Sequence, residues 1–262
     1  MTLLSRGRTA EIYSIGEDRI LKLFLRDFPY NSVENEFRNT VHINQAGIAA
    51  PKAFEKVFRE GRHGIIFERI WGVSLLSEIF NEPRRIDEFS VLMAQQHSKI
   101  HARDGKGLPS FVDSLYSEIS RAELLSSSRK SELLDRLSKL ETSESVCHGD
   151  FHPDNIILTV KGIVVIDWMT ASCGNPATDV ARTSIILSHS RPVDEELLER
   201  IPNALEIRDR FHSVYLDHYI RLSGISKTEI DYWKPIVAAA RLNENLPTLE
   251  KQALLEIANN SN

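Results

Sequence analysis

The sequence predicts an α+β protein of two lobes, a small strand-rich one over residues 1–70 and a larger, mainly helical one over residues 71–262. Three observations carry that expectation. Short apolar runs separated by turn residues fill the first part of the chain, and helical periodicity dominates the rest. Between the helices lies one apolar hairpin studded with polar residues, near position 160. At 262 residues, 42% hydrophobic and 26% charged, the chain can bury a substantial core. A net charge of -5 and a pI near 6.0 give no bulk attraction to nucleic acid or to an anionic membrane. No apolar run approaches the roughly 18 residues of a membrane helix. The first seven residues lack a signal-peptide core. Only Cys147 and Cys173 occur, with no CxxC or Cys/His cluster, so a reducing cytoplasm is expected and neither a zinc site nor a disulfide framework is.

Taken in order, Ile12 to Ile15 and Ile20 to Phe24, split by Gly16-Glu17-Asp18, read as an antiparallel hairpin. Lys22 alternates with Leu21 and Leu23 and so points to the opposite face. It is either a solvent-facing strand lysine or a phosphate-gripping one, and the second role needs an acid to hold it. A helix expected over Asn31 to Ala46, capped at Asn31-Ser32 and stopped by Gly47, offers Glu34 and Glu36, of which Glu36 is the better candidate. Ahead of the hairpin, Ser5 to Ala10 could cover phosphates. Its lone Gly7 falls short of a GxGxxG, and a plain strand connection explains it equally well. Ala53 to Val57 and Gly64 to Ile70 complete the strands, and Trp71-Gly72 ends the portion.

From Ser74 the pattern is helical. His97 and His101 stand four apart on a stripe with Phe89, Met93 and Ile100, a spacing shared with paired metal ligands. No HExxH acid accompanies them, so packing or hydrogen bonding is the expected role. One or two amphipathic helices follow over Leu115 to Leu140, and a buried helix over Asp179 to Ser188. The chain is again helical from Asp194, with breaks near Pro202, Ser223-Gly224 and Pro247 and a frayed tail from Asn259 to Asn262.

The chemistry gathers in His148-Gly149-Asp150-Phe151-His152-Pro153-Asp154-Asn155 and the two apolar runs behind it, Ile156 to Leu158 and Ile163 to Trp168. A turn at Lys161-Gly162 would set Val160 against Ile163 and Ile156 against Asp167. Asn155 and Asp167 would then share one end of the hairpin, with Asp150 on the loop before it. An amide oxygen and a carboxylate beside a second carboxylate make a hard-cation site next to a base. The spacing is that of a kinase catalytic loop. Each residue alone favours turns; together, with Lys22 and Glu36 upstream, they point to phosphoryl transfer.

These residues resemble the aminoglycoside phosphotransferase and choline kinase-like group, small-molecule kinases with a bilobal protein-kinase-like fold. The likeness runs from about Leu4 to Thr183. The family's HGDxxxxN loop stands at His148 to Asn155, its IDW at Ile166-Asp167-Trp168, and its proline-to-aspartate element at Pro176 to Asp179. The resemblance implies that Asp150 accepts or orients the proton of a substrate hydroxyl, and that Asn155 and Asp167 hold magnesium. Lys22, fixed by Glu36, would bind the phosphates of ATP or GTP, and Gly7 would lie in the phosphate-covering turn. The adenine would stack near Phe67, Glu68 and Ile70. His148 and Asp179 would brace the loop, and His152 is a further candidate for contact with the transferred phosphate.

Trp168-Met169 replaces Phe-Gly after Asp167, and neither an activation segment nor Ala-Pro-Glu follows, so a small alcohol is expected as acceptor and not a protein. Phe211, Tyr215, Tyr219, Tyr232 and Trp233 could cage a quaternary ammonium, although aromatics at helical spacing are more often core. The expected protein is a kinase acting as monomer or homodimer. The alternative, a nucleotide-binding pseudokinase, is disfavoured because base, metal ligands and lysine are all present.

Overall fold

The computed structural model describes residues 1–141, 143–189 and 203–260. The expected helical onset at Asp194, the break at Pro202 and the last two residues of the tail lie outside the described residues. The chain divides into two compact units, Met1–Ser77 with Pro153–Ala171, and Glu78–His152 with Ser172–Asn262. The hairpin that carries Asn155 and Asp167 therefore groups with the N-terminal strands.

In the first unit β1 (Thr2–Arg6), β2 (Ala10–Ile15), β3 (Arg19–Phe24), β4 (Ala53–Arg59) and β5 (Arg62–Glu68) form an antiparallel sheet in the order β1-β2-β3-β5-β4. Strand alternation sorts the side chains. Leu21, Leu23 and Ile66 pack on one face with Tyr13, Ile15 and Val57. Ala10, Phe24, Ile65 and Phe67 pack on the other, under Val33 and Phe37 of α1 (Tyr30–Gln45). Lys22 is in register with Ile65 and only 8% exposed, so the solvent-facing reading of this lysine is wrong. The β4–β5 turn places Glu60 and Gly61 at φ 53° and 73°, as a two-residue hairpin turn requires. α1 starts a residue earlier than expected. Pro29, with φ -61°, occupies the cap position, so Asn31 and Ser32 lie inside the first turn and cap nothing.

A second sheet of the same unit runs β6-β8-β9, from Val73–Ser74, Ile156–Thr159 and Gly162–Val165. Thr159 pairs with Gly162 and Ile156 with Val165, so the turn is Val160-Lys161 and not Lys161-Gly162. The Thr159 hydroxyl explains the difference. It donates to the Gly162 carbonyl at 2.8 Å and accepts from the Lys161 amide at 3.1 Å, while Gly162 takes φ 129°. A two-residue shift keeps every side chain on its expected face, but Asp167 now lies beyond the strand, no longer opposite Ile156.

In the second unit α3 (Ile86–His101) packs along the helix Ala204–Ser223, here α7, and α6 (Pro176–His189) packs on both α7 and α8 (Lys227–Arg241). α4 (Phe111–Arg121), α5 (Ser127–Ser138) and α9 (Thr248–Asn259) surround α8, in which Ile236, Val237, Ala238, Ala239 and Ala240 are buried in succession. The C-terminal half of this helix is buried on every side and lies in the centre, while its first half keeps a polar outer face. Side chains of Ser110, Ser126 and Ser226 cap α4, α5 and α8. β7 (Ser145–Cys147) and β10 (Ser172–Gly174) form a short antiparallel pair. The proposed aromatic cage is not one: Phe211, Tyr215, Tyr219 and Trp233 are at most 4% exposed and fill the core. Only Tyr232 is exposed, with Arg136 over its ring. Among the described residues no helix is long and apolar enough to cross a membrane.

One glycine tests the packing of the hairpin. A Cβ on Gly72 would lie 2.3 Å from the Leu158 carbonyl oxygen and 2.7 Å from Ile157 Cγ2. Gly72→Ala should therefore lower unfolding free energy by ~1–3 kcal/mol, as overpacking does. Urea denaturation measures it, and an unchanged midpoint would show that the segment before β6 yields freely.

Candidate active site

In the first unit the Lys22 ammonium donates to Glu36 Oε1 at 2.7 Å and to Asp167 Oδ1 at 3.2 Å. Glu36 is 2% exposed on the sheet-facing side of α1. Glu34, the other acid of that turn, instead binds Lys56 and Tyr30. Burial pushes Lys22 down, but the two carboxylates outweigh it and hold the side chain protonated, above its ordinary value. Burial raises the Glu36 carboxyl to about 7 against the pull of Lys22, and Asp167 adds to the rise. The two shifts pull oppositely on the ion pair. With two carboxylates in contact, the ammonium keeps its proton. Glu36 Oε2 is buried without a hydrogen-bond partner. Removing one member of such a buried pair costs about 3–5 kcal/mol.

Asp167 sits at φ 64°, left-handed backbone that a non-glycine residue adopts only when its surroundings impose it. The imposing contacts are identifiable. The Ile166 amide donates to the Asn155 carbonyl at 2.9 Å, and the buried Trp168 indole donates to the Val165 carbonyl at 2.9 Å. Asn39, on α1 one turn beyond Glu36, directs its amide nitrogen to the carbonyls of Trp168, Met169 and Ala171 at 3.1, 3.2 and 3.1 Å. Sequence reasoning missed Asn39. Its only signal was a polar residue on the buried side of an amphipathic helix. Asn155 ends the short 3-10 turn Pro153–Asn155 and is itself buried. The Ile166–Asn155 bond ties the residue before Asp167 to Asn155, so both expected metal ligands stand at one end of the hairpin. An amide oxygen and a carboxylate, with Asp167 37% exposed, form the donor set magnesium takes.

The expected nucleotide contacts fare unevenly. Phe67 is packed into the sheet core. The Glu68 amide donates to the Lys52 carbonyl at 2.8 Å, and its carboxylate accepts from the Lys52 amide. Ile70 lies half-buried just past β5. The Gly7 amide donates to the Ala10 carbonyl at 2.8 Å, closing the β1–β2 turn. A Cβ there would meet only that oxygen, at 3.5 Å, so nothing in the backbone demands glycine.

In the second unit the loop that carries Asp150 hangs from Asp179 of α6. Its Oδ2 accepts the His148 amide at 2.5 Å, and its Oδ1 accepts the Gly149 amide at 2.9 Å. His97 and His101 Nε2 approach Oδ2 at 3.1 and 3.2 Å. The Asp150 amide donates to His148 Nδ1 at 3.2 Å, and the Thr183 hydroxyl donates to the Phe151 carbonyl at 3.0 Å. Both bracing roles expected of His148 and Asp179 are thus visible as hydrogen bonds. His97, His101 and Asp179 form the one metal-like trio among the described residues. Each imidazole nitrogen already has a partner, the other two being the Tyr215 and Tyr219 hydroxyls at 2.7 and 2.6 Å. Hydrogen bonding accounts for the pair.

The Asp150 carboxylate has His152 Nε2 at 3.5 Å and Arg182 Nη2 at 4.0 Å. Burial pushes its pKa up, but His152 and Arg182 together hold it well below the usual carboxylate range. Arg182 is anchored by Glu244 at 2.7 Å. Neither was singled out from sequence, since an arginine one turn after Asp179 has no motif to mark it.

Two predictions follow from these contacts. Asn39→Ala strands three carbonyl partners and should cost about 1–3 kcal/mol in chemical denaturation. A cost near zero would mean the segment after Asp167 holds its own shape. Burial above all, then the neighbouring His101, pushes His97 down to about 3, and burial, then Lys234, pushes His212 to about 4, from an ordinary 6.5. The unfolded chain therefore takes up protons that the native state refuses, so stability should fall as pH drops below about 6.5 toward 4. Denaturation midpoints across that range check the sign, and a flat profile would contradict it.

The model of the phosphotransferase enzyme family, APH, matches residues 1–216. No curated protein matches the chain. Solved structures do. A thermostable mutant of aminoglycoside phosphotransferase APH(4)-Ia, in its apo form, aligns at 15% identity and TM-score 0.66 over 98% of this chain and 91% of that one. An aminoglycoside-3'-phosphotransferase of type VIII aligns at 20% and 0.62 over 90% of each chain. The GDP and kanamycin complex of APH(2")-IIIa aligns at 14% and 0.57 over 99% and 93%. At these identities the structures establish the shared kinase-like fold, and the family match covers both motif-bearing regions. The chain belongs to the phosphotransferase enzyme family.

Proposed function

We propose that this phosphotransferase moves the γ-phosphate of ATP or GTP to a hydroxyl group of a small molecule, with magnesium, and that Asp150 is its base. The observation that carries the reading is the buried Lys22 ammonium held by Glu36 and Asp167. A lysine so fixed is preorganised for phosphate, which is the task of the corresponding pair in kinases. Asn155 and Asp167 would hold magnesium, which when bound neutralises charge on the phosphates. The acceptor oxygen forms a bond to γ-phosphorus as the bridging P–O bond breaks, the nucleoside diphosphate leaves, and the hydroxyl proton passes to Asp150. A carboxylate held so far below its usual pKa is a weak base, so Asp150 acts chiefly by orienting the hydroxyl and takes the proton late. The Arg182 guanidinium beside it suits a centre where phosphate charge gathers.

The GDP bound by APH(2")-IIIa supports a purine nucleotide, and its kanamycin makes an aminoglycoside one acceptor to try first. Burial of Tyr215, Tyr219, Phe211 and Trp233 speaks against a choline cage on α7 and α8. Two free thiols, Cys147 and Cys173, suit a cytoplasmic setting. Magnesium-dependent ADP or GDP release, screened over aminoglycosides, sugars, choline and thiamine, identifies the acceptor. With it, Asp150→Ala should reduce turnover about 10²–10⁴-fold while nucleotide affinity is preserved. Unimpaired turnover in that variant would remove Asp150 from the mechanism.

A further inference from the structure

The two imidazoles that approach Asp179 must each choose a tautomer, and a carboxylate that only accepts favours N–H at Nε2. A neutral imidazole carries one N–H, so Nε2 can donate to the carboxylate only when Nδ1 is the bare nitrogen. At His97 that nitrogen lies 2.7 Å from the Tyr215 hydroxyl, and at His101 it lies 2.6 Å from the Tyr219 hydroxyl. A phenol O–H can donate to the Nδ1 lone pair. The pairs match rung by rung, because 97 and 101 are one turn apart on α3 as 215 and 219 are on α7, and these helices pack together. The imidazole rings themselves stack 4.1 Å apart. All five side chains are buried, so water is a poor substitute for a lost phenol. With the opposite tautomer, two lone pairs would face the Asp179 carboxylate.

We propose that Tyr215 and Tyr219 are positioning residues. By donating to His97 and His101 they lock both rings as Nε2–H tautomers, and the locked rings hold Asp179 against the His148 and Gly149 amides that shape the loop carrying Asp150. A catalytic consequence rests on the reading of Asp150 given above; the hydrogen-bond relay itself does not. The same geometry makes a metal reading of His97, His101 and Asp179 testable by contrast. A cation would need bare Nε2 atoms, and hence Nδ1–H donated to the phenol oxygens.

The test uses the full chain with ¹⁵N-labelled histidine, as parent, Tyr215→Phe, Tyr219→Phe and the double variant. The parent should show His97 and His101 neutral and protonated at Nε2. In the double variant that tautomer should lose its dominance, and exchange of the His148 and Gly149 amides should quicken about tenfold, the loss of one hydrogen bond's worth, while α8 amides keep their rates. Turnover of magnesium ATP with water as acceptor should fall by a similar factor at unchanged nucleotide affinity. Nδ1–H tautomers in the parent, or one tightly bound metal per chain, would overturn the proposal. So would unchanged loop amides in the double variant, or loosening that spreads equally through α8. If the parent shows no turnover that Asp150→Ala abolishes, it is the phosphoryl-transfer reading that fails, and tautomers and amide exchange still decide the relay.

Discussion

A buried ammonium is tolerable only where carboxylates surround it, and the first unit is built to meet that condition at Lys22. β3 directs Lys22 to the face that α1 covers, and α1 answers with Glu36 at 2.7 Å. The hairpin returns Asp167 to the same nitrogen at 3.2 Å. Three segments far apart in sequence are thus pinned to one charge, and a burial penalty of several kcal/mol per ion is the reason none can drift. The strained φ of Asp167 is a consequence. Asn39, Trp168 and the Ile166–Asn155 bond hold the backbone where unaided sterics would not leave it.

The second unit solves a related problem with the opposite charge. Asp179 is fully buried, and its four donors, two backbone amides and two imidazoles, compensate the lost solvent. Because two of those donors belong to the residues just before Asp150, satisfying Asp179 and shaping the loop that carries Asp150 are one event. Gly149 at φ 77° lets the loop present both amides to a single carboxylate.

What could be read from sequence follows the same division. Spacing in the HGDxxxxN loop and the alternation around Lys22 encode chemistry directly, because the loop is contiguous and strand faces follow parity. Glu36 was preferred to Glu34, and the structure gives Glu36 to Lys22 and Glu34 to Lys56. The Val160-Lys161 turn was misplaced because the hydroxyl of Thr159 outweighed the glycine signal at Gly162. Asn39, Arg182 and Glu244 stayed invisible, since each acts on a partner distant in sequence and none belongs to a local pattern. The aromatics of α7 and α8 were read as a cage or as core, and only burial could choose between them.

Under the proposed mechanism, charge and not base strength governs the reaction. An Asp150 held ionised by His152 and Arg182 cannot draw a proton strongly from an alcohol in the ground state. It need not, if the transition state is loose, because the hydroxyl sheds its proton only after the bond to phosphorus is well advanced. What such a reaction asks of a protein is fixed positive charge for the phosphates and a fixed orientation for the attacking oxygen. In the proposed mechanism Lys22, held by Glu36 and Asp167, would supply the first, and Asp150, on the loop held by Asp179, would supply the second. Glu244 anchors Arg182 at 2.7 Å, and the Arg182 guanidinium lies 4.0 Å from the Asp150 carboxylate.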